Sequence, residues 1–186
     1  EGIRRKAEGK GCTCADAPIQ GGAMRVGFGY DSHRFAEGRR LLIGGVEIGH
    51  DRGLLGHSDA DVLIHAVVDA IIGALGEGDI GRHFPDTDPR LKGISSLVIL
   101  KRAAEMAVLR GYAVNNVDST VILETPKLAP FVEEMRRNIA KVLGTEPSRV
   151  NVKAKTNEKM GFIGRGEGVA AFAVVTLART GADEVA

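Results

Sequence analysis

Asp31-Ser-His33 and His65 are the residues of this chain best suited to chemistry by type and spacing. Asp31 and His33 stand two apart, which at the end of a strand points both side chains to one face. A further ligand from a separate element completes a three-ligand site for a divalent metal with one open position, the arrangement of catalytic rather than structural zinc. His65 falls in a segment read as an amphipathic helix, with Asp61 and Asp69 one turn to either side on the same face. One reading makes His65 the third ligand, with a neighbouring carboxylate orienting its ring. The other makes it a half-buried histidine paired to one aspartate, with no metal.

Three further groups of residues surround that set. His57 and Ser58 stand at the expected start of the same helix, where free N–H groups and the macrodipole favour phosphate. Gly76-Glu-Gly-Asp79-Ile-Gly81 and Phe84-Pro-Asp86-Thr-Asp88-Pro read as flexible acidic loops. Their carboxylates suit the vicinal hydroxyls of a polyol, and their glycines let backbone approach it. Lys153-Ala-Lys155-Thr156-Asn157-Glu158-Lys159 leads into Gly161-Phe162-Ile-Gly164-Arg165-Gly-Glu167-Gly168. Lysines, a hydroxyl and an amide before a glycine-rich turn suit a diphosphate, and Glu158 suits a magnesium bridging its phosphates. The G-x-x-x-x-G-K-[ST] loop is absent, and Gly27-Phe-Gly29 lacks the third glycine of a dinucleotide fingerprint.

The elements that must position these residues follow from periodicity. Met24–Tyr30 alternates as a strand, and Leu41–Ile48, broken by Gly44-Gly45, reads as a bent strand or hairpin. Ser58–Leu75 reads as a helix capped by Ser58, with Asp61 three residues on. Ser95–Arg110 is a second helix stopped by Gly111, and Ala129–Leu143 a third stopped by Gly144. Tyr112–Glu124, Val150–Lys155 and Gly168–Arg179 are strands. Intermixed strands and helices imply an α/β (α+β) sandwich, one mixed sheet with helices on one face.

Composition narrows the classes. The 186 residues suffice for one domain with a real core, and 44% hydrophobic with 26% charged content is that of an ordinary globular protein. A net charge of +1 gives no bias toward nucleic acid or membrane. Aromatics at 4% and the absence of Trp disfavour base-stacking platforms. No apolar run nears the roughly 18 residues of a membrane span. Cys12 and Cys14 are too close for a good disulfide, so a cytoplasmic setting is expected. Residues 1–23 lack periodicity and read as a linker, tag remnant or fusion tail; 24–180 form the domain and 181–186 a tail.

Taken together, several of these runs resemble one family. They are Arg25-Val-Gly-Phe-Gly-Tyr-Asp31-Ser-His33, His57-Ser-Asp-Ala-Asp61, His65 with Asp69, Gly78-Asp-Ile-Gly81, Phe84-Pro-Asp86-Thr-Asp88, Thr125-Pro-Lys127 and Gly164-Arg-Gly-Glu-Gly168. In this order, over about residues 24–180, they look like 2-C-methyl-D-erythritol 2,4-cyclodiphosphate synthases. The resemblance implies a homotrimer, its sheets around a central channel and its active sites between subunits. It implies zinc, or another divalent metal, on Asp31, His33 and His65, and magnesium or manganese on the substrate diphosphate at Glu158. His57, Ser58, Lys155 and Thr156 would work on the phosphates, and Asp69 at the zinc site or on substrate. Asp79, Gly81 and Asp86 would hold the methylerythritol hydroxyls. Thr125, Pro126, Lys127, Leu128 and Ala129, with Ala154, would form the cytidine pocket of the adjacent subunit. Phe162 and Arg165 would also meet substrate, and Arg165 with Glu167 would line the channel. Members often read Lys-Ala-Thr-Thr-Thr-Glu where this chain has Lys153-Ala-Lys155-Thr156-Asn157-Glu158, whose Lys155 and Asn157 can still bond a phosphate. In some organisms such a synthase follows a fused cytidylyltransferase, which would make residues 1–23 a fusion linker.

The implied reaction is closure of 4-diphosphocytidyl-2-C-methyl-D-erythritol 2-phosphate to the cyclic diphosphate, with release of CMP. Three alternatives stay open on the residues: a zinc phosphohydrolase with an activated water, a trimeric binder of nucleotides or isoprenoid diphosphates, and a structural protein with affinity for neither metal nor nucleotide.

Overall fold

A computed structural model describes residues 24–180. The central sheet has the order β4-β1-β7-β5-β6, formed by β1 (Arg25–Glu37), β4 (Arg52–Leu54), β5 (Tyr112–Ile122), β6 (Val150–Lys155) and β7 (Gly168–Arg179). β6 runs parallel to β5 and the other pairs are antiparallel, so the sheet is mixed. A separate hairpin joins β2 (Leu41–Ile43) and β3 (Val46–Ile48) through Gly44-Gly45. Both glycines hold positive φ, +63° and +72°, which a two-residue hairpin turn demands and side chains resist.

One face of the sheet carries the helices α1 (Val62–Leu75), α3 (Ser96–Leu109) and α4 (Val132–Leu143). The short helices α2 (Ile80–His83) and α5 (Gly161–Gly164) lie in the connections. α1 crosses β1 and β7, α3 lies beside α1, and α4 packs on α3 and β6. In α1 every residue except Asp69 and Gly73 is buried. It is therefore the core helix rather than an amphipathic surface one, because α3 and the hairpin cover the side that a surface helix shows to water. Burying its Leu63, Ile64, Val67, Ile71 and Ile72 stabilises the fold by roughly 1.5–3 kcal/mol each.

Several boundaries differ from the sequence reading, each for a physical reason. β1 extends seven residues past Tyr30, because β7 pairs with it through Arg34 and β4 beyond, so Asp31 and His33 lie within the strand rather than at its end. α1 begins at Val62, not Ser58. Its cap is Asp61, whose carboxylate accepts from Ile64 N at 3.1 Å and also from Gly44 N at 2.9 Å and Gly45 N at 2.6 Å. The hairpin thus selects the cap among several candidates. The third helix is preceded by a 3-10 turn at Ala129–Phe131. The acidic loops carry α2 and a 3-10 turn at Pro89–Leu91, capped by Asp79 and Asp88. Among the described residues no helix is long and apolar enough to cross a membrane. The segments 1–23 and 181–186, with Cys12 and Cys14, lie outside the described residues.

Candidate metal centre and clefts

Two glycines bring α1 onto β1. An ideal Cβ on Gly27 would stand 1.8 Å from the Ala70 carbonyl oxygen, and one on Gly29 2.0 Å from that of Ala66. Only glycine permits that approach, and it sets His65 directly above the face where β1 presents Asp31 and His33. Asp31 Oδ2 lies 2.9 Å from both His33 Nε2 and His65 Nδ1, and the two ring nitrogens are 3.1 Å apart.

Each ring is held from behind. His33 Nδ1 lies 2.8 Å from the Leu55 carbonyl, an acceptor only, so Nδ1 carries a hydrogen and Nε2 is the nitrogen turned to the centre. His65 Nε2 lies 3.1 Å from Ser58 Oγ and 2.9 Å from Ser96 Oγ. Burial pushes the Asp31 carboxyl up, but hydrogen bonds and charge from His33 and His65 outweigh it and hold the group far below the usual carboxylate range. Burial pushes His33 down, and Asp31 with the Leu55 carbonyl more than reverses it. One carboxylate and two imidazoles, their ligand atoms all within 4.8 Å of one another, fit a divalent cation of the zinc type.

Neither carboxylate on α1 orients His65, contrary to the sequence reading. Asp61 is spent on the hairpin, and Asp69 accepts from Ile80 N at 3.0 Å, fixing the start of α2. Burial and the nearby charges of Asp79 and Asp31 raise the Asp69 carboxyl, against that hydrogen bond. The hydroxyls of Ser58 and Ser96 stand where a carboxylate was expected. Ser96 was not legible as a site residue, since nothing local marks the start of α3 as a neighbour of α1.

The centre opens into a cleft of about 460 Å³, lined by Gly56, His57 and Ser58 on one side and by Ile80, Gly81, Phe84, Pro85 and Asp86 on the other. Leu91 and Ile99 supply apolar floor. His57 and Ser58 reach it from the loop before α1 rather than from the helix N-terminus, whose first N–H groups Asp61 serves. His57 Nε2 lies 2.9 Å from the Asp88 carbonyl oxygen. Arg39 clamps this loop by donating to the carbonyls of Leu54, Gly56 and Ser58 at 3.2, 3.2 and 2.9 Å. Asp79 accepts from Arg82 N at 2.9 Å through one oxygen.

A second, smaller cleft of about 170 Å³ gathers Pro126, Lys127, Leu128 and Ala129 with Ala154, Lys155 and Thr156, joined by Leu123 and Glu124. Thr125 precedes it through a cis peptide bond. Glu158 follows in a turn where it and Lys159 take φ of +49° and +62°, and its carboxylate meets the Thr156 hydroxyl. Asn157 serves that turn, donating one of its two amide hydrogens from Nδ2 to Met160 O at 2.8 Å. Lys155, Ile122, Ala170 and Ser32 are successive cross-strand partners, so the two clefts stand three strand spacings apart, roughly 14 Å. Phe162 and Arg165 line neither cleft. Phe162 borders a recess with Ser32, Arg34 and Glu167, and Arg165 Nε donates to Glu167 at 2.6 Å.

Fold and centre define a class: a mixed-sheet α/β protein with a group suited to a divalent metal between β1 and the core helix. The chain belongs to the YgbB family, whose model matches residues 24–178. It is 57% identical over 157 residues to the 2-C-methyl-D-erythritol 2,4-cyclodiphosphate synthase of Alkaliphilus metalliredigens, covering 84% of this chain and 99% of that one. It is 56% identical over 165 residues to the bifunctional enzyme IspD/IspF of Desulforudis audaxviator, covering 89% of this chain but only 42% of that one. Among solved structures, the bifunctional IspDF of Campylobacter jejuni matches at a TM-score of 0.82 and 45% identity, covering 86% of this chain and 43% of that one. The CDP complex of IspF from Plasmodium falciparum matches at 0.75 and 36%, covering 86% and 99%.

Proposed function

We propose that this enzyme closes 4-diphosphocytidyl-2-C-methyl-D-erythritol 2-phosphate into 2-C-methyl-D-erythritol 2,4-cyclodiphosphate, releasing CMP, in the cytoplasmic supply of isoprenoid precursors. The observation that carries this is the convergence of Asp31, His33 and His65 at the mouth of a cleft sized for a small phosphorylated polyol. An oxygen of the 2-phosphate attacks the β-phosphorus in line. The new P–O bond closes the ring as the bond from the β-phosphorus to the α-bridging oxygen breaks, and CMP leaves with that electron pair. The nucleophile is already anionic near neutral pH, so no general base is required.

The chain's own work is positioning and exclusion of water. His57 and Ser58 donate to the 2-phosphate, while Asp69, Asp79, Gly81 and Asp86 fix the methylerythritol hydroxyls. Lys155 and Thr156 meet the diphosphate. Ile80, Phe84, Leu91 and Ile99 keep water from the β-phosphorus, where it would hydrolyse the substrate. Asp31, His33 and His65 would hold zinc and Glu158 magnesium or manganese, which when bound polarise the phosphates and neutralise the charge that builds on them. The cytidine takes the cleft of Pro126–Ala129 and Ala154, with Thr125 at its margin, while Phe162 and Arg165 meet substrate from outside that cleft.

That second cleft belongs to a neighbouring subunit of a homotrimer. The roughly 14 Å between clefts in one chain supports this. So does the helix-free face of the sheet, where Val26, Phe28 and Tyr30 are 64%, 62% and 46% exposed beside Val174 and Phe172. An apolar face of that kind marks an interface. Residues 24–180 are the synthase domain.

Phosphorus NMR with that substrate and magnesium tests the reaction. Two coupled cyclic-diphosphate resonances with stoichiometric CMP, lost on zinc chelation and in His65→Ala, are expected. Free phosphate in place of the cyclic product would make the enzyme a hydrolase. Intact substrate with folded, metal-loaded protein would make it a binder.

A further inference from the structure

We infer that Asp59 and Ser96 act as positioning residues that set the tautomer of His65, and through it the affinity of the metal centre. The inference rests on the proposed metal site. Asp59 grips Ser96 twice: Oδ2 accepts from Ser96 N at 2.9 Å, and Oδ1 accepts from the Ser96 hydroxyl. A hydroxyl has one hydrogen. With it committed to Asp59, Ser96 Oγ can only accept from His65 Nε2, 2.9 Å away. Nε2 therefore carries a hydrogen, which reserves Nδ1, the atom facing Asp31 and His33, for a bound cation. Ser58 Oγ stands 3.1 Å from the same nitrogen and already accepts from Ala60 N, so it too can accept from Nε2–H.

His33 is set the opposite way round by the Leu55 carbonyl. The two rings thus present different nitrogens to one point, each fixed by an acceptor behind it. Ser96 is fully buried and His65 nearly so, which leaves water no opportunity to substitute for the relay. Asp59 is the polarity source: it is the only member of the chain Asp59–Ser96–His65 that cannot donate when ionised.

The polarity is reversible by one atom, which gives the test. Asp59 Oδ1 also accepts from Asp61 N at 3.3 Å, so in Asp59→Asn one backbone N–H faces the NH₂ whichever way the amide turns; with its oxygen on the closer Ser96 N, at 2.9 Å, the NH₂ faces Ser96 Oγ. The hydroxyl must then turn and donate to His65 Nε2, moving the ring hydrogen to Nδ1 and blocking the ligand atom. Ser96→Ala instead removes the link but leaves Ser58 to accept. Zinc affinity is measured by chelator competition, and the ring tautomer of His65 by ¹⁵N–¹H NMR of the metal-free and zinc-loaded protein. Expected are a hydrogen on His65 Nε2 in both the metal-free and the zinc-loaded wild type, and zinc binding weakened about 10- to 100-fold in Ser96→Ala. Asp59→Asn should bind zinc more weakly still, with the hydrogen on Nδ1, while circular dichroism shows the wild-type fold. A His65 Nε2 without a hydrogen in the metal-free wild type, or wild-type zinc affinity in a folded Asp59→Asn, overturns the inference. Absence of zinc binding by the wild type overturns the metal site itself, and the tautomer measurement then still decides the relay.

Discussion

Gly29 and Ala66 lie so close that a Cβ on the glycine would stand 2.0 Å from the alanine's carbonyl oxygen. The centre depends on this approach, because His65, the residue before Ala66, meets Asp31, two residues after Gly29. Gly29→Ala must push α1 off β1, at a cost of about 1–3 kcal/mol or more. We expect a lower melting temperature and weaker zinc binding together. Gly49→Ala, whose added Cβ meets nothing within 4 Å, should leave both unchanged. Thermal denaturation with chelator competition on the two variants checks this; retained zinc affinity in Gly29→Ala would detach the glycine from the site.

Asp61 is buried, and its carboxylate serves three backbone amides, two of them in the β2–β3 turn. Asp61→Ala should cost about 3–5 kcal/mol, because it strips a cap and leaves buried N–H groups unpaired. Urea denaturation of the metal-free protein measures it. A loss below about 1 kcal/mol, the value of an ordinary cap, would mean the hairpin contacts contribute little.

Much of this was legible in the sequence, and the exceptions share a cause. β6 and β7 were read with their observed ends, because the alternation of Val150–Lys155 and the Val-rich apolar run of Gly168–Arg179 are local signals. Asp31, His33 and His65 were legible because few residue types ligate metals. The cap of α1 was not, since Ser58 and Asp61 are equally good by type and a distant hairpin decided between them. Gly27 and Gly29 were weighed as part of a nucleotide fingerprint, whereas their role is to admit a helix whose position no local pattern states. Ser96, Arg39 and Glu124 act across the fold through hydrogen bonds that pair elements far apart in sequence.

Asp79 caps α2 through Arg82 N with one oxygen, and the proposed function gives its other oxygen a substrate hydroxyl, two duties that substitution can separate. Asn preserves caps nearly as well as Asp, whereas Ala costs about 1 kcal/mol. Asp79→Ala should therefore lower stability slightly and raise KM, while Asp79→Asn should keep stability and still weaken substrate binding. A collapsed kcat at unchanged KM in Asp79→Asn would instead assign the carboxylate to the transition state.

Glu124 holds the turn that presents Glu158. Its Oε1 accepts from Asn157 N at 3.0 Å and Lys159 N at 3.1 Å, pinning the segment in which Glu158 and Lys159 take left-handed backbone conformations. Strained backbone of that kind persists only where its surroundings enforce it. Without the acceptor, Glu158 loses its fixed place beside Thr156. Glu124→Ala should raise the magnesium concentration for half-maximal turnover by about tenfold or more, in line with other groups that orient metal ligands. Zinc content should stay at the wild-type level, because the Asp31 centre lies in the other cleft. Glu124→Gln keeps an oxygen for both amides and should restore the wild-type magnesium response. Titrating turnover against magnesium in both variants decides the matter: an unchanged response in Glu124→Ala would show that the turn holds its shape without this carboxylate.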